Sequence, residues 1–167
     1  MSWVNDAMDC FRKTLGHFPL GVWLAILAVV LLVFAWSMQA YSLMDWDGAV
    51  DMGLQNERFT EGAVERAWAQ ESWGVAVADM LWLMPLSLLA LVGLLRGKDY
   101  GFAAGLMVMA IGVYFPLIFA FQRWTSFRGT AIAAMVLWAL PSLLGIVGLY
   151  ANRRSLVGSV EKLDHTD

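Results

Sequence analysis

The longest uncharged stretch of the chain is the feature that most constrains its fold. Between Lys13 and Asp45 no Asp, Glu, Lys or Arg occurs. A helix crosses a hydrocarbon core of about 30 Å with about 20 apolar residues, at about 1.5 Å per residue, so this stretch is long enough to span a membrane. Three more long apolar stretches follow it. The sequence therefore predicts four membrane spans, at about residues 18–43, 72–95, 100–122 and 129–152.

These spans predict an all-α fold. Composition agrees, because 60% of the 167 residues are hydrophobic and only 15% are charged, whereas about 25% are charged in an ordinary soluble domain. A soluble enzyme is thereby excluded. The links at 96–99 and 123–128 are short enough for tight hairpins. We expect a polytopic membrane protein with four transmembrane helices in an antiparallel bundle, forming a single membrane domain over residues 1–167.

The distribution of Lys and Arg predicts the orientation, since basic residues are retained on the cytoplasmic side. With the N-terminus inside, seven basic residues lie on the inner side and four on the outer side. The inner set is Arg12, Lys13, Arg96, Lys98, Arg153, Arg154 and Lys162. The outer set is Arg58, Arg66, Arg123 and Arg128. We therefore expect a protein of the plasma (inner) membrane with both termini in the cytoplasm.

The first outer segment, residues 45–71, is strongly acidic and is called the acidic cap below. Its seven carboxylates are Asp45, Asp47, Asp51, Glu57, Glu61, Glu65 and Glu71. From Thr60 to Ser72 it has the pattern of a short helix, with Thr60 as N-cap and Glu61 in the first turn. We expect this helix, which carries Trp68, to lie at the membrane interface or to extend the second span outward. A simple solvated loop is the alternative.

A short internal repeat links the second and fourth spans. The pentapeptide LWLMP at 81–85 is followed by LWALP at 137–141. Both lie in spans that run from outside to inside in the predicted orientation. If the match is a duplication, the first two helices repeat as the last two in the same direction. Chance is the alternative, because Leu and Trp are frequent in this chain.

Asp79 is the one charged residue inside a predicted span. A carboxylate that faces lipid costs free energy, so we expect it to face the bundle. Steps of 7, 4 and 3 residues place it on one stripe of the helix with Leu86, Ala90 and Gly93. Small residues on such a stripe are typical of close contact between membrane helices.

The third span offers a surface that could complete a pocket. Gly101, Gly105 and Gly112 share one helix face, and Pro116 removes the N–H that would bond the Gly112 carbonyl. We expect a ligand pocket in the outer leaflet beside Asp79. Its predicted ligand-binding residues are Asp79, Tyr114, Glu71, Arg123, Arg128, Gly112 and Trp82. In the alternative, the carboxylate pairs with an arginine or a tyrosine and only fixes the helix order.

The sequence excludes several classes of function. A net charge of −3 without a basic run argues against nucleic-acid binding. One cysteine and two distant histidines give no metal or haem ligand set, and we expect no metal, no cofactor and no catalytic residues. We expect a small membrane protein that binds a hydrophobic ligand or membrane lipid, a larger membrane complex, or a second copy of itself. The alternatives are a proton-coupled or ion transporter using Asp79 and a membrane-embedded lipid-modifying enzyme.

Overall fold

The computed structural model describes residues 2–55, 57, 62–124 and 128–153, and the chain is mostly helical. The helices are α1 (Ser2–Arg12), α2 (Leu20–Met44), α3 (Trp46–Asp51), α4 (Ala63–Ala78), α5 (Met84–Leu95), α6 (Asp99–Arg123), α7 (Arg128–Ala134) and α8 (Leu140–Ala151). Two short strands, β1 (Thr14–Leu15) and β2 (Phe18–Pro19), pair in an antiparallel hairpin before α2. A first π turn (Asp79–Leu83) joins α4 to α5, and a second π turn (Met135–Ala139) joins α7 to α8.

The structure contains the four long apolar helices that the prediction of four spans requires. Four helices are long and apolar enough to cross a membrane, and they begin and end close to the predicted limits except at one point. They comprise Leu20–Met44, Ala63–Leu95, Asp99–Gln122 and Arg128–Ala151.

The exception is the second span, which is longer than a membrane requires. It has 33 residues, which measure about 50 Å at about 1.5 Å per residue, whereas the hydrocarbon core is about 30 Å thick. From Ala63 onward the helix expected at Thr60–Ser72 is therefore continuous with the span, as one of the two expectations had it. Thr60 and Glu61 lie outside the described residues.

The chain forms two compact units. The first unit contains the described residues up to Leu32 and from Ser87 onward, and the second unit contains Val33–Leu86. Helix α2 contributes residues to both units, and so does the helix that includes α4 and α5. A single membrane domain over residues 1–167 remains a prediction.

Glycines allow close helix contacts in the first unit. A Cβ atom added at Gly21 would lie 2.7 Å from the Cα of Gly148, so α2 and α8 meet backbone to backbone. Gly93 and Gly101 bring α5 and α6 together in the same way. Such contacts require glycine because any side chain would push the helices apart.

The link between α5 and α6 is a tight turn. Gly97 adopts a positive φ of 60°, which glycine tolerates without strain. The N–H of Lys98 donates to the carbonyl of Gly93 at 2.9 Å, and the N–H of Gly97 donates to Leu94 at 3.1 Å. This pair of bonds is a Schellman motif, which satisfies carbonyls that a helix end leaves unpaired. The short link expected from the sequence is thus a defined helix terminus.

Helix α1 is bonded to the C-terminal end of α8 in the first unit. The side-chain Nδ2 atom of Asn152 donates to the carbonyls of Phe11 at 3.1 Å and Gly148 at 2.9 Å. The Nε of Arg12 donates to the carbonyl of Ala151 at 3.3 Å. These bonds join the first helix of the chain to the end of the fourth span.

In the second unit, the beginning of the acidic cap folds back on α2. Asp45 caps α3 by accepting a hydrogen bond from the N–H of Gly48 at 3.0 Å. The side-chain amide of Gln55 donates to Gln39 at 3.0 Å and to the hydroxyl of Ser42 at 3.1 Å. Residues 45–55 therefore form an ordered structure, and a solvated loop is the wrong interpretation for this part of the cap.

Candidate functional site

Asp79 is the first residue of the first π turn, and its side chain is buried. Its relative exposure is 3%. On the same helix Ala76 and Leu83 are buried as well, at 0% and 7%, and the three share one face. The prediction that Asp79 points inward is therefore confirmed.

The π turn changes which residues share that face. In an α-helix, residues three or four positions apart lie on the same side, but a π turn is wider and its bonds span five residues. Trp82, three residues after Asp79, is 64% exposed, and Leu86 is only half-buried, whereas Ser87 is fully buried. Ala90 and Gly93 are buried as predicted. The predicted stripe was therefore wrong by one position at Leu86.

The carboxylate of Asp79 has an unsatisfied oxygen. Within the described part of the chain, its Oδ2 atom is buried and has no hydrogen-bond partner. Buried polar groups are almost always hydrogen-bonded, because an unsatisfied one retains its full desolvation cost. The ion pair or tyrosine bond of the alternative interpretation is not seen for this oxygen among the described side chains.

Three other polar side chains in α2 do form hydrogen bonds. Ser37 and Ser42 in α2 each donate to the carbonyl four residues earlier, at 2.8 and 3.0 Å. Tyr41 donates to the carboxylate of Asp45 at 3.1 Å. An ionised carboxylate accepts hydrogen bonds but has no proton to donate to a backbone carbonyl, so Asp79 cannot be satisfied in the way that these serines are.

The first unit contains a second unsatisfied group, the hydroxyl of Ser142. Its Oγ atom is fully buried and unpartnered within the described residues. Ser142 follows the second π turn, which widens the helix just where its hydroxyl would bond the carbonyl four residues earlier. A Cβ atom added at Gly112 would lie 2.5 Å from this Oγ atom and 2.8 Å from Leu32. Protein side chains therefore cover this side of Gly112.

The remaining predicted site residues are at or near the surface. Tyr114 is 62% exposed, so its ring is turned away from the buried face of α6. Glu71 is exposed on α4, about 12 Å along the helix axis from Asp79. Arg128 is exposed, and its guanidinium lies 4.9 Å over the ring of Trp124. The side chain of Arg123 lies outside the described part of the chain.

Sequence reasoning missed two features of these regions. Gln55, which joins the cap to Gln39 and Ser42, lies in a polar loop and gave no periodic signal. The burial of Ser142 without a hydrogen-bond partner among the described residues was not predicted either. The proline at 141 was the available signal, since prolines in membrane helices interrupt the regular hydrogen-bond ladder.

The two π turns have the same register relative to the internal repeat. The first spans 79–83 and precedes Pro85, and the second spans 135–139 and precedes Pro141. In each, the residue before the proline donates its N–H to the carbonyl five residues earlier. The likeness between the second and fourth spans thus extends from sequence to backbone geometry. Met135 occupies the position in the second π turn that Asp79 occupies in the first, so only the second span carries a carboxylate there.

Among the described residues, no group of three His, Cys, Asp or Glu side chains could hold a metal ion. No protein-family model, curated protein or solved structure matches this chain.

Proposed function

We propose that this chain is a small integral membrane protein that binds a hydrophobic ligand or a membrane lipid at Asp79, in the outer leaflet. The observation that carries the proposal is the buried carboxylate, one oxygen of which has no hydrogen-bond partner among the described residues. Ionisable residues within membrane spans are costly, and they mark ligand or ion sites in many membrane proteins. π turns are also common at functional sites.

The depth of Asp79 supports an outer-leaflet site. It lies 16 residues before Leu95, or about 24 Å along the axis at about 1.5 Å per residue. In a hydrocarbon core of about 30 Å, this places the carboxylate a few ångströms inside the boundary opposite Leu95. A ligand with a polar end and an apolar body would have its polar end at the depth of the carboxylate while its body stays in hydrocarbon.

The proposal includes the predicted topology. The four spans form an antiparallel bundle in the plasma (inner) membrane, with both termini in the cytoplasm and the acidic cap outside. The tight turn at Gly97 supports a reversal of direction between the second and third spans. Tyr114, Glu71, Arg123, Arg128, Gly112 and Trp82 remain predicted members of the site.

A membrane protein complex is a second candidate binding partner, and one observation favours it. The second span continues beyond the length that the hydrocarbon core needs, and its extension exposes Val64 at 56% and Trp68 at 45%. Exposed apolar side chains outside the membrane are typical of interaction surfaces. A second copy of the chain would be one such partner.

Co-purification tests the proposal. The wild-type protein and the Asp79→Asn variant are extracted in a mild detergent, and the bound lipids and small molecules are identified by mass spectrometry. Asp6→Asn is the matched control, since Asp6 is exposed in α1 outside the acidic cap and undergoes the same change of side chain. We expect one amphiphile to be retained by the wild type and by Asp6→Asn and to be depleted at least about tenfold in Asp79→Asn.

Equal retention of every amphiphile by all three proteins would contradict the proposal. Vesicle flux that depends on Asp79 would favour the transporter instead, and turnover of a lipid by the purified protein would favour the enzyme. Flux would also require a polar route through both leaflets.

A further inference from the structure

We infer that the ligand bound at Asp79 carries a protonated primary amine on a hydrocarbon chain. The inference rests on the proposed function and names the chemical class of its ligand. It combines the unsatisfied carboxylate, the apolar residues that share its helix face and the charge of the acidic cap.

The buried carboxylate of Asp79 requires a hydrogen-bond donor and a compensating positive charge. A buried carboxylate is an acceptor with two oxygens, and Oδ2 of Asp79 has no donor among the described residues. Burying a charge without a partner costs several kcal/mol or more. A ligand with a positive charge and N–H donors would compensate the negative charge of Asp79 and donate a hydrogen bond to its Oδ2 atom. A charge-assisted hydrogen bond of this kind is about twice as strong as a neutral one.

A divalent metal ion fits this position less well. Calcium takes six to eight oxygen ligands and magnesium requires a near-octahedral set. Among the described residues no three candidate ligand side chains come together. One carboxylate flanked by Ala76 and Leu83 on its helix face offers a single ligand group in apolar surroundings. An ammonium group can bind a single carboxylate without a coordination sphere of six or more oxygen atoms.

The residues on the same helix face as Asp79 offer no bond to a polar ligand body. Ala76 and Leu83, one turn before and one turn after Asp79, are both buried on its face. Neither can bond a polar ligand body. At the depth estimated above, an amphiphile in the outer leaflet would present its head group near the carboxylate and leave its chain among acyl tails.

The acidic cap selects for a cation. Residues 45–71 contain seven carboxylates and only two basic residues, Arg58 and Arg66. Asp47, Asp51 and Glu65 are exposed. Clustered charge of one sign raises the local concentration of the opposite ion and speeds its association. A cationic amphiphile is therefore enriched at this end of the second span, and an anionic one is repelled.

A primary amine is favoured over a quaternary ammonium by hydrogen bonding. A protonated primary amine has three N–H donors, as lysine does, whereas a quaternary ammonium has none. Only the former can satisfy Oδ2. The comparison also separates this site from aromatic cages, which bind quaternary ammonium groups through ring faces.

The test uses the full-length protein in nanodiscs of phosphatidylcholine, a lipid without a primary amine. Three probes with the same chain are titrated by calorimetry: dodecylamine, dodecyltrimethylammonium and dodecanol. Empty nanodiscs give the partition background. We expect dodecylamine to bind the wild type at least about tenfold more tightly than either other probe. We expect Asp79→Asn to weaken dodecylamine binding by at least about tenfold, while Asp6→Asn, at an exposed aspartate of α1 outside the acidic cap, changes it by less than about threefold.

Two results would overturn the inference. If dodecanol or dodecyltrimethylammonium binds as tightly as dodecylamine and still depends on Asp79, the amine is wrong but the hydrophobic-ligand site stands. If no probe binds above the empty nanodiscs, the amine is wrong, and the co-purification experiment then decides whether the site itself fails. Should Asp79→Asn not fold, the comparison of the three probes on the wild type still tests the inference.

Discussion

Asp79 is buried in the second unit, and its Oδ2 atom has no hydrogen-bond partner among the described residues, although other polar side chains of the same unit are satisfied. Ser37 and Ser42 bond back to their own helix at 2.8 and 3.0 Å. A carboxylate has no proton to donate in this way when it is ionised. The proposed ligand would account for the presence of this costly group, since functional sites retain such costs.

At the residue scale, replacing Asp79 by leucine should stabilise the ligand-free protein. The substitution removes a buried group with an unsatisfied atom, whose cost is about 1–3 kcal/mol, and adds apolar surface to the buried face. We expect a higher midpoint of thermal unfolding in detergent, together with loss of ligand binding. Asp79→Asn is the companion variant of nearly equal volume.

The opposite result would identify a structural role. If Asp79→Leu and Asp79→Asn both lower the unfolding midpoint by several degrees, the carboxylate forms a pair that holds the bundle together. The ligand account would then lose its main observation.

The inward orientation of Asp79 was predictable because the cost of a charge facing lipid is independent of local geometry. The exposure of Trp82 was not, because it depends on the π turn. Pro85 lacks an N–H and its ring collides with the carbonyl four residues earlier in a regular helix. A kink and a π turn both relieve this collision, and the sequence alone does not choose between them.

At the element scale, the contact between α6 and α8 depends on glycine. The Gly112→Ala variant would place a Cβ atom 2.5 Å from the Oγ atom of Ser142 and 2.8 Å from Leu32. We expect this to lower the free energy of unfolding by about 1–3 kcal/mol, the usual cost of overpacking a core. Chemical unfolding followed by tryptophan fluorescence would measure it.

A double-mutant cycle makes this prediction specific. Ser142→Ala removes the nearest atom and an unsatisfied hydroxyl, so it should be nearly neutral alone and should recover part of the loss in Gly112→Ala. Gly74→Ala is the control, because no atom lies within 4 Å of its added Cβ, and alanine favours helix by about 1 kcal/mol. Strictly additive effects of the Gly112 and Ser142 substitutions would show that these residues are not in contact.

At the scale of the whole molecule, the four spans followed from the apolar stretches, because length and hydrophobicity determine whether a helix can cross a membrane. The folded structure at the beginning of the acidic cap could not be predicted from the sequence. Its structure depends on Gln55 bonding to Gln39 and Ser42, which are distant in sequence. The docking of α1 depends likewise on Asn152, near the opposite end of the described chain. Hydrogen bonds between distant polar residues leave no periodic pattern in a sequence.

The predicted orientation can be tested with the native cysteine. Cys10 is exposed in α1 and is the single cysteine of the chain. With the N-terminus in the cytoplasm, a membrane-impermeant maleimide should label Cys10 in inverted vesicles and leave it unlabelled in intact cells. In a Cys10→Ser background, the Asp51→Cys variant should give the reverse pattern, since Asp51 is exposed in the acidic cap. Labelling of Cys10 from outside would reverse the topology.

The central claim, a ligand held on the buried face at Asp79, is tested most directly by photo-crosslinking. A diazirine amino acid of leucine size is placed at Leu83, which is 7% exposed, or at Leu81, which is 75% exposed two residues away. After illumination in native membranes, mass spectrometry of the peptide identifies the adduct. The account predicts one dominant adduct at Leu83 that disappears with Asp79→Asn, and a mixture of bulk lipids at Leu81. The same mixture at both positions, unchanged by Asp79→Asn, would contradict it.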